Sequence, residues 1–231
     1  MVKKVIKRNP RTGRADRRSQ ARDGFLKNVS IADGVATCET HTGKTFICDE
    51  TTFLALKQEG RCIQSNKQGY FFFTRINQTT KKIEIRYVHQ VALMNQIKRA
   101  QKNGEKKEID HISRQKWDNR KENLELVSRS QNAMNRAQRN KKTGLFGVSY
   151  QHKKGLKNPL IRASAGSTTN KQNYLGYFQD LVSAGKAVDK AKVLKFGLEF
   201  VSKRGLLNYP ADWIKKPGYF EPVVSIPNKE T

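Results

Sequence analysis

The sequence predicts an α+β protein built from three small units: an antiparallel β-rich leader, a β-loop-β-α unit and a β-β-β-α unit. Two observations predict this class. Short β-prone runs separated by Gly, Asn and Lys fill residues 34–87, and strand-like runs are twice followed by a helix-period segment further along the chain. A length of 231 residues allows one ordinary domain or two to three small ones.

The leader begins with a basic arm. Residues 1–30 hold ten Lys and Arg against Asp16 and Asp23, without apolar periodicity, which predicts a flexible segment. Residues 31–87 then contain the runs VATC, TFIC, CIQ, YFFFTRI and IEIRY. We expect a small antiparallel sheet there, with one short helix around Phe53 and Leu56.

The middle unit is predicted over residues 88–140. The run VHQVALMNQIKRAQKNG has helical spacing from Val88 and ends at Asn103-Gly104, a common stop signal. A short strand, a polar loop, a second strand at Leu124 to Val127 and a helix follow. The residues NKKTG lack apolar side chains with which to dock, so residues 141–145 are predicted to be a linker.

The last unit is predicted over residues 146–210. Its strands lie in GVSYQ, PLIRASA and NYLGYF, and the helix that follows ends at Gly197. One face of that helix is apolar and carries Leu181, Ala184, Val188, Ala191 and Leu194. The tail, residues 211–231, is expected to lie over a domain surface or to be partly disordered.

The charge indicates the kind of partner. The formal net charge is +26, and such a surplus is most often neutralised by DNA or RNA. Residues 126–179 contain no Asp or Glu, which predicts a continuous phosphate-binding face, although a generally basic protein would also show this. With no run of about 18 apolar residues we expect no membrane span. The odd number of cysteines, three, predicts reduced thiols.

A group of polar residues in the middle unit suits phosphodiester hydrolysis. Asp110 and His111 are adjacent, and Asn123 and Asn132 follow His111 by 12 and 21 residues. Hydrolysis requires a cation that stabilises charge on the phosphate and a base that deprotonates water. Carboxylate and amide oxygens suit Mg²⁺, and a neutral imidazole can accept the proton. Alone, however, an Asp-His pair is more often part of a surface turn.

The segment DHISRQKWDNRKENLELVSRSQNAMNR resembles the core of HNH homing endonucleases, a branch of the ββα-metal nucleases in the His-Me finger superfamily. The resemblance implies that His111 is the general base and that Asp110 and Asn132 bind the metal. It implies that Asn123 braces the catalytic loop. The expected cofactor is Mg²⁺, for which Mn²⁺ can substitute. Members of the family often have Asp-Gly after D-H-I, where this chain has Ser113-Arg114.

A further histidine precedes this core. The run RYVHQVALM looks like the strand and helix that commonly lead into the nuclease core, and His89 lies at the family's usual His. A packing role, a phosphate contact and a catalytic role all remain open for His89.

The C-terminal unit resembles the Apetala-two or ethylene-response DNA-binding domain. The matching residues are Gly147-Val148, Leu175-Gly176, Phe178, Ala184, Ala187, Asp189, Ala191 and Asn208-Tyr209-Pro210. The resemblance implies a three-stranded sheet that enters the major groove of DNA. The candidate readers are Tyr150, Lys153, Lys154, Arg162, Lys171 and Tyr174. The family's tryptophan on the second strand is replaced here by the Pro159-Leu160 region.

Together these features predict a site-directed DNA endonuclease of the homing type, from a phage or mobile element, acting on double-stranded DNA. The predicted DNA-binding residues are Arg114, Arg120, Arg129, Arg136, Arg139, Lys153, Lys154, Arg162, Lys171 and Tyr174. No protein partner is indicated, so a monomer in the cytoplasm of a bacterial or phage-infected cell is expected. The rivals are a non-catalytic DNA-binding regulator and a structural RNA-binding protein. For the RNA-binding rival, the aromatic run at residues 70–73 is more simply a buried strand.

Overall fold

A computed structural model describes residues 25–136, 138–152, 154–155, 157–166, 173–216 and 218. The chain divides into two compact units, residues 1–128 and 129–231. Both units mix helices with small antiparallel sheets, which fits the predicted α+β class. The division after Ser128 lies inside the predicted middle unit, whose last helix therefore belongs to the second compact unit.

The first unit contains two antiparallel three-stranded sheets and a hairpin. Its elements are β1 (Asn28–Ala32), β2 (Val35–Glu39), β3 (Thr45–Asp49), α1 (Glu50–Glu59), β4 (Gln64–Ser65), β5 (Phe71–Ile76), β6 (Ile83–Tyr87), α2 (Val88–Ala92), α3 (Met94–Lys102), β7 (Glu108–His111), a 3₁₀ turn (Lys121–Asn123) and β8 (Leu124–Val127). One sheet has the order β1-β2-β3, the other has the order β4-β5-β6, and β7 pairs with β8. Strand β1 begins inside the predicted basic arm, most of which, residues 1–24, lies outside the described residues.

The core of the first unit follows the alternation of its strands. The buried core side chains are Ala36, Cys38, Phe46, Cys48, Phe53, Leu56, Ile63, Phe71, Phe73 and Val88. Cys38 and Cys48 are free thiols in this core. Each fully buried Phe or Leu contributes about 1.5–3 kcal/mol of transfer free energy. The aromatic run therefore supplies core residues from Phe71 and Phe73.

The helix predicted from Val88 to Asn103 is two helices in the structure. Leu93 interrupts it with φ −105° and ψ 19°, between α2 and α3. Leu93 is buried with Ala92 against Leu124 of β8, and Ile97 packs on the same cluster. The sequence pattern shows the apolar face of the helix but not the break at Leu93. The break occurs where Leu93 packs against Leu124 of the hairpin β7-β8.

The second unit contains a three-stranded sheet covered by a long helix. Its elements are α4 (Arg129–Asn135), β9 (Val148–Gln151), β10 (Leu160–Ser164), β11 (Tyr174–Phe178), α5 (Leu181–Phe196), α6 (Leu198–Lys203) and α7 (Ala211–Ile214). The sheet has the order β11-β10-β9, and α5 packs on it through Ala184 and Val188. The Asp180 carboxylate caps α5 by accepting from Ser183 N at 2.8 Å. Leu194, predicted to lie on the apolar face, is instead 78% exposed.

Gly147 permits a close approach of two strands in this unit. Its φ is 68°, and a Cβ there would lie 2.2 Å from the Ser164 carbonyl oxygen. That oxygen belongs to the neighbouring strand, whose Ser164 N donates to Gly147 O at 2.8 Å. Only glycine fits this position without moving backbone.

Residues 141–145 differ from the predicted linker. The Asn140 Oδ1 accepts from Lys142 N and Thr143 N, and Gly144 N donates to Asn140 O at 2.8 Å. The Thr143 hydroxyl donates to Val148 O at 2.9 Å. Polar side chains thus fix this turn to β9, and Leu145 at its end packs against the core of the second unit.

The predicted tail begins with structure. Helix α7 carries Ile214, which is buried, and Trp213, whose ring stacks on Tyr209 at 6.4 Å. Residues 217 and 219–231 lie outside the described residues. Among the helices that the structure describes, none has the length and apolar composition needed to cross a bilayer.

Candidate active site

Asp110 and His111 end strand β7, where the hairpin opens into a loop. His111 pairs in register with Leu124, and Asp110 pairs with Glu125, both on β8. Both side chains are buried, each with 5% of its surface exposed. Beyond His111 the chain forms the loop 112–120 and returns through the 3₁₀ turn to β8. The hairpin therefore places the predicted base and the predicted metal ligand side by side at the start of one loop.

Asn123 braces the loop 112–120 from within. Its Oδ1 accepts from Ser113 N at 2.9 Å, and its Nδ2 donates to the Asp118 carbonyl at 2.8 Å. Its carbonyl accepts from Ile112 N at 2.8 Å. Since Asn123 is itself buried, these bonds tie both ends of the loop to one fixed side chain. This geometry fits the bracing role that the family resemblance implies.

The same loop adds to the N-terminal sheet. Ile47 on β3 forms a parallel bridge with Asp118, in which Ile47 N donates to Trp117 O at 2.9 Å and Asn119 N donates to Ile47 O at 2.8 Å. The Asp49 carboxylate accepts from Lys121 N at 2.8 Å. The leader therefore positions the loop 112–120. Sequence reasoning missed these contacts, since no local pattern links residues so far apart in the chain.

The environment of His111 keeps its imidazole neutral. Burial, the main cause, lowers the pKa of His111, and the charge of Lys116 adds to this effect. The polar side chain of Asn119 and the carboxylates of Asp110 and Asp118 oppose it in part. The pKa of His111 therefore lies below its usual value, and the ring is a competent proton acceptor at neutral pH.

A cluster of rings surrounds His111. The His89 ring stacks on Tyr87 at 5.2 Å with an interplanar angle of 8°, and meets His111 edge to face at 5.3 Å. Tyr70 contacts both histidines, at 5.5 and 5.8 Å. His89 Nδ1 is buried and has no hydrogen-bond partner among the described residues. Burial lowers the pKa of His89 to about 3, with a smaller contribution from His111. These contacts favour a packing role for His89 over a charged phosphate contact.

The two predicted metal ligands belong to different elements. Asp110 lies on β7, and Asn132 lies on α4 in the second compact unit. Within the described part of the chain, no three His, Cys, Asp or Glu side chains form a group that could hold a metal ion. The metal-binding roles of Asp110 and Asn132 stay predictions.

Two predicted DNA-binding residues lie near the loop in the first unit. Arg114 is exposed and adopts φ 65°, a conformation that glycine favours. Arg120 is held by Asp118 through bonds of 2.9 and 2.7 Å and lies 2.5 Å from Glu122. Its guanidinium is thus committed within the protein, which weakens the prediction that Arg120 contacts DNA. Where members of the HNH family often have glycine, this chain has Arg114. The positively charged side chain is therefore attached to backbone in the left-handed conformation.

The predicted basic side chains of the second unit differ in their contacts with the fold. Arg129, Arg136, Arg139 and Lys154 are all exposed. The Arg139 guanidinium also donates to Gly144 O at 3.1 Å and Leu207 O at 2.9 Å, and lies over the Phe146 ring. Arg139 therefore stabilises the fold, and a DNA contact is no longer its simplest role. Lys153 and Lys171 lie outside the described residues.

The outer face of the second unit's sheet carries a small cluster of rings and polar groups. Arg162 pairs in register with Tyr177, and its guanidinium lies 5.3 Å from the Tyr174 ring. The Tyr177 hydroxyl donates to Gln151 Oε1 at 2.9 Å. Tyr177 and Gln151 were not among the predicted DNA-binding residues, because their place on this face depends on the register between strands, which no local pattern gives.

The prediction for Tyr150 changes with the register of the strands. Tyr150 pairs with Ile161, which in turn pairs with Phe178, and these two residues pack toward α5. Since paired residues share a face, Tyr150 lies on the helix side of the sheet, opposite Arg162. It is therefore not a member of the outer cluster.

The Asn208-Tyr209 pair fastens the C-terminal segment to α5. The buried Asp189 carboxylate accepts from Asn208 N at 2.9 Å and Tyr209 N at 3.0 Å. The Asn208 side chain accepts from Phe146 N at 2.7 Å and donates to Phe146 O and Gly185 O. Burial raises the pKa of Asp189 to about 6, although the two backbone hydrogen bonds lower it in part. These residues, quoted for the second family resemblance, have structural roles here.

Comparison with known proteins bears on the first unit and α4. Residues 86–134 match the family described as HNH endonuclease. This match supports an HNH nuclease, and hence a phosphodiester hydrolase with a DNA substrate. No curated protein and no solved structure matches the chain. The resemblance of the second unit to the Apetala-two domain stays a prediction.

Proposed function

We propose that this protein is a site-directed DNA endonuclease of the homing type, in which His111 is the general base. One observation carries the proposal. Within residues 86–134, which match the HNH endonuclease family, the His111 imidazole is buried directly before the loop that Asn123 holds, and its pKa is lowered. A neutral imidazole can take the proton of the water that attacks the scissile phosphodiester. Asn123 positions that loop and does not itself react.

The donor set fits a hard divalent cation. Asp110 offers a carboxylate, and Asn132 offers an amide oxygen, the ligand types that Mg²⁺ prefers while keeping several waters. We propose that these two side chains hold Mg²⁺ or Mn²⁺. When bound, the cation would stabilise negative charge on the phosphate and on the leaving oxygen. The protein's own contribution is to keep His111 neutral and fixed.

Binding is proposed to come mainly from phosphate contacts. The net charge of +26 and the exposed Arg114, Arg129, Arg136 and Lys154 support a duplex DNA partner. The outer sheet cluster of Arg162, Tyr174 and Tyr177 would supply base contacts and register. A homing role would require cleavage at one or a few genomic sites.

The decisive experiment compares His111→Ala with the wild type on duplex DNA in Mg²⁺, Mn²⁺ and EDTA. Removing a positioned base should lower the cleavage rate by about 10²–10⁴-fold. Affinity measured by gel shift should remain near that of the wild type, because many cations contribute to it. His152→Ala is the matched control, since it removes an exposed histidine outside the loop. Wild-type cleavage by His111→Ala would remove His111 from the mechanism.

A non-catalytic DNA-binding regulator remains the second candidate. It would share the charge and the outer sheet cluster, but it would bind DNA without cutting it in any divalent metal. Incubation with native genomic DNA and Mg²⁺, followed by mapping of the cut ends, separates the two. Ends at one or a few sites support the homing role, scattered ends support a non-specific nuclease, and uncut DNA supports the regulator.

A further inference from the structure

Trp117 is an exposed tryptophan on the loop that holds the proposed base. Its side chain is 46% exposed, whereas the next two residues, Asp118 and Asn119, are buried. Single exposed apolar residues are common on protein surfaces, so exposure alone carries no meaning. Three further observations distinguish Trp117: its rigid backbone, its satisfied indole N–H and its place on the loop that begins directly after His111.

The backbone at Trp117 is held from two sides. Its carbonyl accepts from Ile47 N at 2.9 Å and from the Asn119 side chain at 3.2 Å. Asp118 N donates to Gln115 O at 3.1 Å, which closes the turn around Trp117. A flexible loop would lose conformational entropy on presenting a ring to a ligand, and this loop is already ordered.

The polar edge of the indole is already satisfied. Trp117 Nε1 donates to Gln115 Oε1 at 2.9 Å, so its one hydrogen-bond donor has a partner without any ligand. What Trp117 presents outward is therefore a flat apolar ring. Such a surface suits stacking on another π-system better than hydrogen bonding.

The surroundings of Trp117 point to a polyanion that also carries π-faces. Arg114 is exposed on the same loop, and the nearby Asp118 carboxylate is neutralised by Arg120. Lys116 and Lys121 add positive charge, although their ammonium groups also donate to Gln68 O and to the Thr51 hydroxyl. The Lys116 ammonium lies 4.5 Å from the centre of the Tyr70 ring, which in turn lies 5.8 Å from the His111 ring. A ligand that meets the Trp117 ring therefore contacts a basic loop whose neighbouring residue lies close to the proposed base. DNA combines phosphates with stacked bases in this way.

We propose that Trp117 stacks on a nucleobase of the bound duplex next to the phosphodiester that is cut. This inference rests on the proposed endonuclease function. Stacking of a base on an aromatic side chain is tolerant of sequence, because every base has a π-face. Apolar side chains inserted at a base step also kink duplexes. Trp117 would thus hold a locally opened step against His111, while base selection is left to other contacts.

The test uses tryptophan fluorescence, because the chain has two tryptophans. Trp213→Phe leaves Trp117 as the only reporter and keeps a ring to stack on Tyr209. This variant is titrated in EDTA with a short mixed-sequence duplex and with the same duplex carrying one bulged adenine, whose unstacking costs less. Quenching that saturates with the gel shift, and is at least as strong for the bulged duplex, is expected. Gel-shift binding of the bulged duplex without quenching would overturn the proposal.

Two substitutions at the site complete the test. Trp117→Ala should lower affinity for the bulged duplex roughly 5–150-fold, whereas Trp117→Phe, which keeps a ring, should lose much less. Circular dichroism and melting temperature check that both variants fold. Equal affinity of Trp117→Ala and wild type would contradict stacking. A protein that shows quenching but cuts no DNA in Mg²⁺ would keep the stacking contact and reject the endonuclease, so the two failures are distinguishable.

Discussion

The loop 112–120 and the segment 206–209 are both irregular, and each is held by one buried polar side chain from a neighbouring element. Asn123 binds the first through Ser113 and Asp118, and Asp189 binds the second through Asn208 and Tyr209. The two regions differ in what else they contain. The polar groups of Asn208 are all used within the fold. Around the loop, Arg114 has a left-handed backbone and the ring of Trp117 is exposed.

This difference is the one expected between a purely structural contact and the proposed active site. Strained backbone and unpaired buried groups cost free energy, and they persist mainly where function requires them. His89 Nδ1, buried without a hydrogen-bond partner among the described residues, adds to the cost near the loop. The segment 206–209 contributes stability to the second unit, whereas the loop 112–120, which the proposed mechanism needs for orienting His111, carries a left-handed residue at Arg114. Substitutions in the two regions should therefore affect stability and cleavage in different proportions.

Asn123→Ala should have the largest combined effect. It removes the acceptor of Ser113 N and the donor to Asp118 O from a buried site, which should lower the free energy of unfolding by about 3 kcal/mol. Because the loop also orients His111, the cleavage rate of the folded protein should fall by about 10²-fold. Urea unfolding and single-turnover cleavage at saturating DNA measure the two effects.

Asn123→Gln is the control for this prediction, because it keeps the amide acceptor and donor on a side chain that is one methylene longer. It should lie between wild type and Asn123→Ala in stability. If Asn123→Ala lost stability but cut DNA at the wild-type rate, the loop would not position His111, and the contrast between the two regions would disappear.

Asp189→Ala should lower stability without slowing the chemistry. Two backbone N–H groups lose their acceptor, but a costly buried carboxylate is also removed, so a loss of about 2 kcal/mol is expected. Below the melting transition, cleavage at saturating DNA should stay near the wild-type rate. Asp189→Asn, which keeps one acceptor oxygen, should lose less stability. A cleavage defect as large as that of Asn123→Ala would contradict a purely structural role for Asp189.

The sequence predicts a region well when its contacts join residues that are close in the chain, and poorly when they join distant residues. The helix over residues 181–196 is predictable, because Ala184 and Val188 follow a local period and Asp180 and Gly197 mark its ends. Its last turn is not, because Leu194 continues the same apolar period and is nevertheless 78% exposed. The roles predicted for His111 and Asn123 come from the resemblance of residues 110–136 to the HNH core. The bridge from Ile47 to Asp118 joins residues far apart in the chain, so no local period predicts it. The same holds for the bond from Arg139 to the Leu207 carbonyl. The periodicity also does not show that Arg120 binds Asp118 inside the protein.

The pH dependence of stability should have opposite signs in the two regions. The pKa of His89 is lowered to about 3, so as pH falls below about 6.5 the unfolded chain takes up a proton that the folded chain refuses, and stability falls. The pKa of Asp189 is raised to about 6, so between pH 6 and its ordinary value of 3.8 the folded chain holds a proton that the unfolded chain has lost. Acidification over that range should therefore reduce the cost of burying Asp189.

Urea unfolding at about pH 7.5 and about pH 5 tests these signs with two variants. His89→Phe keeps a ring to stack on Tyr87 and should lose less stability on acidification than the wild type. Asp189→Asn, which carries no titrating carboxyl, should lose more on acidification than the wild type. Each difference should stay below the one-proton limit of about 1.4 kcal/mol per pH unit. Parallel pH profiles for all three proteins would show that neither group titrates differently on folding.

Arg114→Gly should produce the smallest change and the most local one. A residue at φ 65° costs roughly 1–2 kcal/mol unless it is glycine, and the greater freedom of glycine in the unfolded chain offsets part of the gain. The free energy of unfolding should therefore rise by up to about 1 kcal/mol. If Arg114 contacts a phosphate, the slope of log affinity against log salt should also flatten by about 0.9.

Arg114→Lys separates the two effects, because it keeps the charge and the strained conformation. It should match wild type in both stability and salt slope, while Arg114→Gly changes both. A stability gain in Arg114→Gly with an unchanged salt slope would mean that the strain is real but the cation does not touch DNA. A salt-slope change without any stability gain would mean that the backbone at residue 114 is not strained, and one of the features that set the loop 112–120 apart from the segment 206–209 would be lost.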